Sequence, residues 1–248
     1  MTRPLGELPL TELAGIRLLA TDIDGTMTAG GRIPLGVLAA WQEARARGLL
    51  VLLTTGRSAG EALGLARYLP DAKWAVAENG AVLLIPDEPP LLLVPPRQDA
   101  QLLAVAARIG ADTPLQLAAD AFARQGDLAF ERAGRSEVEV TGLRTRARAH
   151  GVHLIASSVH LHLSSHRPDK GAAVQKVARR LGIPATAIAT IGDSHNDEGL
   201  WRPRRFAVTV GTADVAQLRL RHRPAWQTAG RGASGWCEWV DRWLAAQT

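Results

Sequence analysis

Two textures of apolar and polar positions alternate along the chain. Short, nearly continuous apolar runs, at residues 16–23 and 49–53, have the form of strands buried on both faces of a parallel sheet. Helical periodicity follows each run. A helix is predicted over 35–47, stopped by Gly48. The second apolar run closes in Thr54-Thr55-Gly56-Arg57, and Ser58 is placed to cap the next helix. Residues 74–77 form a third short strand, and Asn79-Gly80 marks a tight turn into a strand over 81–85.

The texture then changes. Residues 86–96 are proline-rich around the apolar run 91–94. From there to about residue 167 the pattern predicts strand, helix, strand, helix, strand, strand. The helices fall at 98–109 and 136–150, and the closing hairpin at 152–156 and 159–163. After Asp169 the first texture returns. A helix over 170–181 ends at Gly182, a strand over 187–191 leads into the polar loop 192–198, a strand covers 206–210, and an amphipathic helix covers 234–246. Such alternation is the mark of an α/β fold. The expected architecture is a Rossmann-like, parallel-sheet core from residues 1–85 and 168–248, with a smaller α/β unit, 86–167, inserted into it. There is no internal repeat and no low-complexity tract.

Composition narrows the class. Of 248 residues, 46% are hydrophobic and 21% charged, the balance of a globular protein and not of a disordered one. Aromatics make up only 4%, so the core must be built from Leu, Ala and Val. The formal charge of +5 is spread along the chain: Arg124, Arg132, Arg135, Arg144, Arg146 and Arg148 stand among Glu131, Glu137 and Glu139. No aromatic platform accompanies a basic stripe, so no nucleic-acid partner is expected. Cys237 is the only cysteine, which excludes an intramolecular disulfide and suits a reducing compartment. No apolar stretch approaches the roughly 20 residues of a membrane span, and acidic and proline residues stand where a signal peptide needs an apolar run. No membrane partner is expected, and the expected location is cytoplasmic, as monomer or homodimer.

Four polar clusters follow predicted strands, at the sheet edge where open α/β folds bind ligands. In Asp22-Ile23-Asp24-Gly25-Thr26, alternate residues point the same way, so Asp22 and Asp24 address one site. Carboxylates this close repel unless a cation or proton relieves them, and a hard-oxygen site suits magnesium. Thr55 and Gly56, at a helix start, can hold phosphate oxygens with hydroxyl and backbone N–H groups. Lys170 can offset charge on a nucleophile and on a phosphoryl group. Gly192-Asp193-Ser194-His195-Asn196-Asp197 adds two carboxylates, one spaced to ligate a metal and one to orient its surroundings. Each cluster alone also fits ordinary turn chemistry; the set in this order does not.

Together the clusters resemble the four motifs of the haloacid dehalogenase superfamily. Asn79-Gly80-Ala81 and residues 208–213 resemble its subgroup of Cof-like and sugar-phosphate phosphatases, whose α/β cap lies between the second and third motifs. The resemblance implies a phosphatase in which Asp22 attacks phosphorus and forms an aspartyl phosphate. Asp24 would serve as general acid and then base. Asp22, the Asp24 carbonyl and Asp193 would hold magnesium, Thr55 would bind a phosphoryl oxygen, and Lys170 would stabilise the transferring group. Asp197 would position Lys170 or a metal-bound water, with Asn196 as a hydrogen-bonding partner. The substrate would be a small phosphorylated metabolite, a sugar phosphate or a phosphoglycolate-like acid, selected by the cap. A phosphomutase uses the same aspartate pair and stands as the alternative; a non-catalytic phospholigand-binding protein would lack residues that are all present here.

His160, His162 and His166 are not absorbed by these motifs. Alternation puts His160 and His162 on one face of their strand, where they can face solvent, a metal or a substrate. Arg124 and Arg132 are further candidates for contact with substrate.

Overall fold

The computed structural model describes residues 2–69, 71–157 and 159–247. In chain order the strands are β1 (Arg3–Pro4), β2 (Leu18–Thr21), β3 (Leu50–Thr54), β4 (Ala75–Ala77), β5 (Val82–Leu84), β6 (Leu91–Leu92), β7 (Leu128–Glu131), β8 (His153–Ala156), β9 (His160–Ser164), β10 (Ile188–Gly192), β11 (Val208–Gly211) and β12 (Trp226–Gln227). The helices are α1 (Leu10–Ala14), α2 (Leu35–Ala46), α3 (Ala59–Tyr68), α4 (Asp99–Ile109), α5 (Glu137–Ala149), α6 (Lys170–Arg180) and α7 (Gly232–Ala245).

The strands form a nine-stranded sheet in the order β1-β12-β11-β10-β2-β3-β4-β5-β6 and a three-stranded sheet in the order β7-β9-β8. From β1 across to β4 every neighbour is parallel; β5 and β6 add an antiparallel edge. The fold is therefore the α/β, parallel-sheet architecture that the apolar runs predict.

Those runs are apolar throughout because each strand feeds two cores. Leu18 and Ala20 of β2, Leu52 of β3 and Ile188 of β10 pack with Val174, Val177 and Ala178 of α6. Their neighbours Leu19, Val51, Leu53, Ala189 and Ile191 face the opposite core, closed by α2, α3 and α7. On α7, Trp236, Trp239, Val240 and Trp243 recur at helical spacing and are buried there. Trp236 stacks on Trp41 with ring centroids 6.4 Å apart. Trp201 is buried in the first of these cores and donates from Nε1 to the Val210 carbonyl, so it packs rather than binds.

Ser58 caps α3 as its sequence predicts, in a reciprocal arrangement with Glu61. Element ends otherwise differ from the predicted ones by a residue or two, as fraying makes usual. One difference is larger. The run 91–94, expected to open the inserted unit, supplies β6, which pairs with β5 as the edge of the large sheet. Leu92 and Val94 pack on one core of that sheet and Leu93 on the other, so burial of this run is satisfied before the insert begins. The surrounding prolines end a strand instead of marking a linker.

The smaller sheet accordingly has three strands, not four. Its apolar face, with Phe130, Leu154, Leu161 and Leu163, is covered by Leu102, Val105 and Ile109 of α4 and by Val140, Leu143 and Ala147 of α5. The other face of β9 carries His160 and His162 and is turned toward the carboxyl edge of the large sheet. Among the described residues, no helix is long and apolar enough to cross a membrane.

Candidate active site

The strands β2, β3, β4 and β10 all end at one edge, and the polar clusters meet there. The Asp22 amide continues the ladder by donating to the Ile191 carbonyl (3.0 Å), which fixes Asp22 beside the β10 loop. The chain must then turn sharply. Gly25 adopts φ +80°, and a Cβ built on it would lie 2.5 Å from Asp193 Oδ2, so only glycine brings the two loops this close.

Lys170, the first residue of α6, is fully buried beneath them. Its Nζ donates to Asp22 Oδ1 at 2.5 Å and to Asp197 Oδ1 at 2.7 Å. Asp197 Oδ2 accepts the backbone N–H groups of Asp193 (3.0 Å) and Ser194 (3.1 Å), which ties the β10 loop together. Asp193 Oδ1 accepts the Thr26 hydroxyl at 2.9 Å.

One ammonium faces three carboxylates here. Oxygens of Asp22, Asp193 and Asp197 lie within 4.8 Å of one another. Burial, reinforced by Asp197 and Asp24 and opposed by Lys170, pushes the Asp22 carboxyl up to about 7. Burial and the same crowding by Asp22 and Asp197 raise Asp193 well above the ordinary range. Burial pulls the Lys170 ammonium down, but Asp197 and Asp22 outweigh it and hold the group above its ordinary value. Fully ionised, the cluster carries more negative charge than Lys170 offsets, an imbalance that protons or a further cation relieve. With Asp197 saturated by Lys170 and two amides, the oxygens left for that cation are the second ones of Asp22 and Asp193. Two hard, anionic donors suit magnesium.

Asp24 lies across from Asp22, with its carboxylate held by Arg57 through Nε (2.7 Å) and Nη2 (2.6 Å). Arg57 also pairs with Glu61 at 2.9 Å. Thr55 is buried, and its hydroxyl accepts the Arg57 amide at 3.0 Å. Asn196 donates from Nδ2 to Asn79 Oδ1 at 3.1 Å.

A cavity of about 140 Å³ separates this floor from the inserted unit. Asp22, Asp24, Gly56 and Asn196 face it from below; Arg124, His160 and His162 face it from above. His166 turns away to Ser164 (Nδ1 to Oγ, 2.9 Å), and Arg132 pairs with Glu137 outside the cavity. The histidine pair and Arg124 therefore reach the site, and the other two candidates do not.

Beside the Asn79-Gly80 turn, Glu78 carries no motif signal. Glu78 and Asn79 both have positive φ, at 51° and 55°, a conformation that non-glycine residues hold only when surroundings enforce it. The buried Glu78 carboxylate accepts the amides of Ala59 (3.0 Å), Gln125 (3.0 Å) and Gly126 (2.6 Å), so it joins the start of α3 to the insert. Arg124 adds a bond from Nη1 to the Gly56 carbonyl at 3.1 Å. Arg57 was visible within the Thr-Gly-Arg sequence, four residues before Glu61; Glu78 gave no sign, because its partners lie some 19 to 48 positions away.

Residues 19–91 match the family described as haloacid dehalogenase-like hydrolase, and residues 137–243 match sucrose-6F-phosphate phosphohydrolase. A phosphoglycolate phosphatase of Pyrobaculum neutrophilum is 30% identical over 225 residues, covering 89% of this chain and 92% of that protein. The chain belongs to the haloacid dehalogenase-like hydrolases. Within that family, a phosphoglycolate phosphatase of Methanothermobacter thermautotrophicus is 27% identical over 92% of this chain and 99% of its own. In fold, the hydrolase resembles a Thermoplasma acidophilum protein of known structure with a TM-score of 0.77 at 19% identity, over 92% of this chain and 98% of that one. A haloacid dehalogenase-like hydrolase from Bacteroides thetaiotaomicron gives 0.69 at 14% identity, over 92% and 99%.

Proposed function

We propose that this phosphatase hydrolyses a small phosphorylated acid or sugar phosphate through an aspartyl phosphate on Asp22, using magnesium. The observation that carries this reading is the floor of the cavity: a carboxylate held by a buried lysine, inside a cluster of three carboxylates that share this one ammonium. Asp22 and Asp193, with the Asp24 carbonyl, would hold the metal, which when bound offsets charge on the phosphate.

In the first step an Asp22 oxygen bonds to phosphorus as the ester P–O bond breaks, and Asp24 delivers a proton to the departing oxygen. In the second, Asp24 takes a proton from a water that attacks the same phosphorus, which frees phosphate and restores the Asp22 carboxylate. Asp24 is held by Arg57 at rest, so this role requires it to exchange Arg57 for the leaving oxygen. Lys170 holds Asp22 in place and stabilises the transferring group, with Asp197 fixing Lys170 in turn. Gly56 and Asn196 line the cavity, and with Thr55 they would bind the phosphoryl oxygens.

The inserted unit acts as the cap that excludes water and selects substrate. The small cavity favours a compact ester, in line with the phosphoglycolate phosphatases among the relatives. A single half-buried cysteine suits work in the cytoplasm.

The test is phosphate release from phosphoglycolate and p-nitrophenyl phosphate, with magnesium or with chelator, for wild type and Asp22→Asn. Hydrolysis that needs the metal and falls by about 10³-fold or more in the variant is expected. Full activity in Asp22→Asn would refute the covalent mechanism.

A further inference from the structure

One side chain of the cavity loses its partner when the phosphoryl chemistry runs. At rest the Arg57 guanidinium grips Asp24 as a fork, Nε to Oδ2 at 2.7 Å and Nη2 to Oδ1 at 2.6 Å. Two parallel N–H groups on two carboxylate oxygens make the strong, geometrically selective contact by which arginine recognises a carboxylate. The role proposed for Asp24 breaks this contact, because Asp24 must turn to the leaving oxygen. Nε and Nη2 are then donors without a partner.

The fork does not follow Asp24. Its third nitrogen, Nη1, donates to Glu61 Oε1 at 2.9 Å, and Glu61 Oε2 in turn accepts the Ser58 hydroxyl at 3.0 Å in the first turn of α3. Arg57 is also within reach of a solute. Its side chain is 36% exposed, and it lines the cavity together with Asp24 and Glu61. Position decides which part of a substrate it meets. Asp24 serves the leaving oxygen, so the place that Asp24 vacates beside Arg57 belongs to the leaving part of the ester, not to the phosphoryl group that Asp22 attacks.

The roof supplies no equivalent. Among the described residues lining the cavity, the other guanidinium is that of Arg124. Its side chain is fully buried and held by Asp120 and Asp127 at 2.7 and 2.9 Å. The ring nitrogens of His160 and His162 diverge, so neither imidazole offers a carboxylate two parallel donors.

We propose that Arg57 is the residue that selects the substrate, its fork passing from Asp24 to a carboxylate carried on the leaving part of a short phosphorylated acid. Asp24 occupies at rest the place that the substrate carboxylate takes, so binding of the acid releases Asp24 toward the reacting oxygen. An ester without a carboxylate must part Asp24 from Arg57 with nothing to replace the ion pair. A cavity of about 140 Å³ leaves room for few atoms beyond the phosphoryl group. The inference rests on the phosphatase reading of the cavity floor.

The test measures kcat and KM for wild type, Arg57→Met and Arg57→Lys on phosphoglycolate and on ethyl phosphate, which lacks the carboxylate, with thermal melting as a check on folding. Methionine keeps the apolar stem and removes every donor; lysine keeps the charge and loses the paired donors. Wild type should favour phosphoglycolate in kcat/KM. Arg57→Met should lower that preference about tenfold or more, with KM for phosphoglycolate rising. Arg57→Lys should recover part of the preference, and carries the comparison with wild type alone if Arg57→Met does not fold. Equal losses on both esters would show that Arg57 only orders Asp24 and would overturn the proposal, as would wild type showing no preference for the carboxylate. Failure of wild type to hydrolyse either ester would instead overturn the phosphatase reading itself.

Discussion

Replacing Lys170 with methionine keeps the length of the side chain and removes the one ammonium that touches both Asp22 and Asp197. Both contacts are fully buried, at 2.5 and 2.7 Å. Taking one partner from a buried ion pair costs about 3–5 kcal/mol, because the charge left behind has no water to turn to. With a urea m-value of about 3 kcal/mol/M, the upper end of the usual range, the midpoint of metal-free Lys170→Met should fall by about 1–2 M. The deficit depends on pH. Burial already pushes the Asp22 carboxyl up to about 7, with Lys170 opposing the rise, so the variant lifts it further. A carboxyl raised in the folded state contributes stability below its unfolded value and loses it as pH rises through the folded value. The deficit should therefore be smaller at about pH 5, where Asp22 is protonated in the fold and Asp197 alone loses its partner, than at about pH 8. Excess magnesium at the higher pH should recover part of the loss by binding only the folded state. Urea titrations followed by tryptophan fluorescence at both pH values measure all of this. A deficit that is the same at both, or none at all without metal, would refute the view of Lys170 as the countercharge of a crowded acidic cluster.

Two further outcomes follow from the same geometry. Gly25→Ala forces a side chain into φ +80° and against Asp193 Oδ2; a loss of about 1–2 kcal/mol is expected from the backbone. The magnesium concentration for half-maximal activity should also rise, by about tenfold or more. Asp127 is held down to about 2, burial being outweighed by His162 and Arg124. Asp127→Asn should cost about 2 kcal/mol at neutral pH, and melting curves of the two proteins should converge as pH falls from about 4 toward 2, since a depressed carboxyl loses its contribution in that window.

The sequence by itself determined the class of fold and the membership of the site floor. Apolar runs such as 49–53 are unambiguous because both faces of a central strand are covered. Asp22, Lys170, Asp193 and Asp197 were legible because each sits at the end of a predicted element, so topology alone carries them to one edge. The pairing of Lys170 with Asp197 was implied only by the family resemblance, and the crowding that pushes Asp22 up to about 7 was not legible; it arises from burial, which no local pattern reports. The run 91–94 was misplaced for a related reason, since only the packed structure shows which core receives its leucines. The roof depended most on tertiary structure. His162, Arg124 and Asp127 acquire their meaning from contacts across strands and loops, and Glu78 from amides far along the chain. Hydrogen bonds and ion pairs act over a few ångströms, so residues distant in sequence can be read as a site only once the fold has brought them within that range.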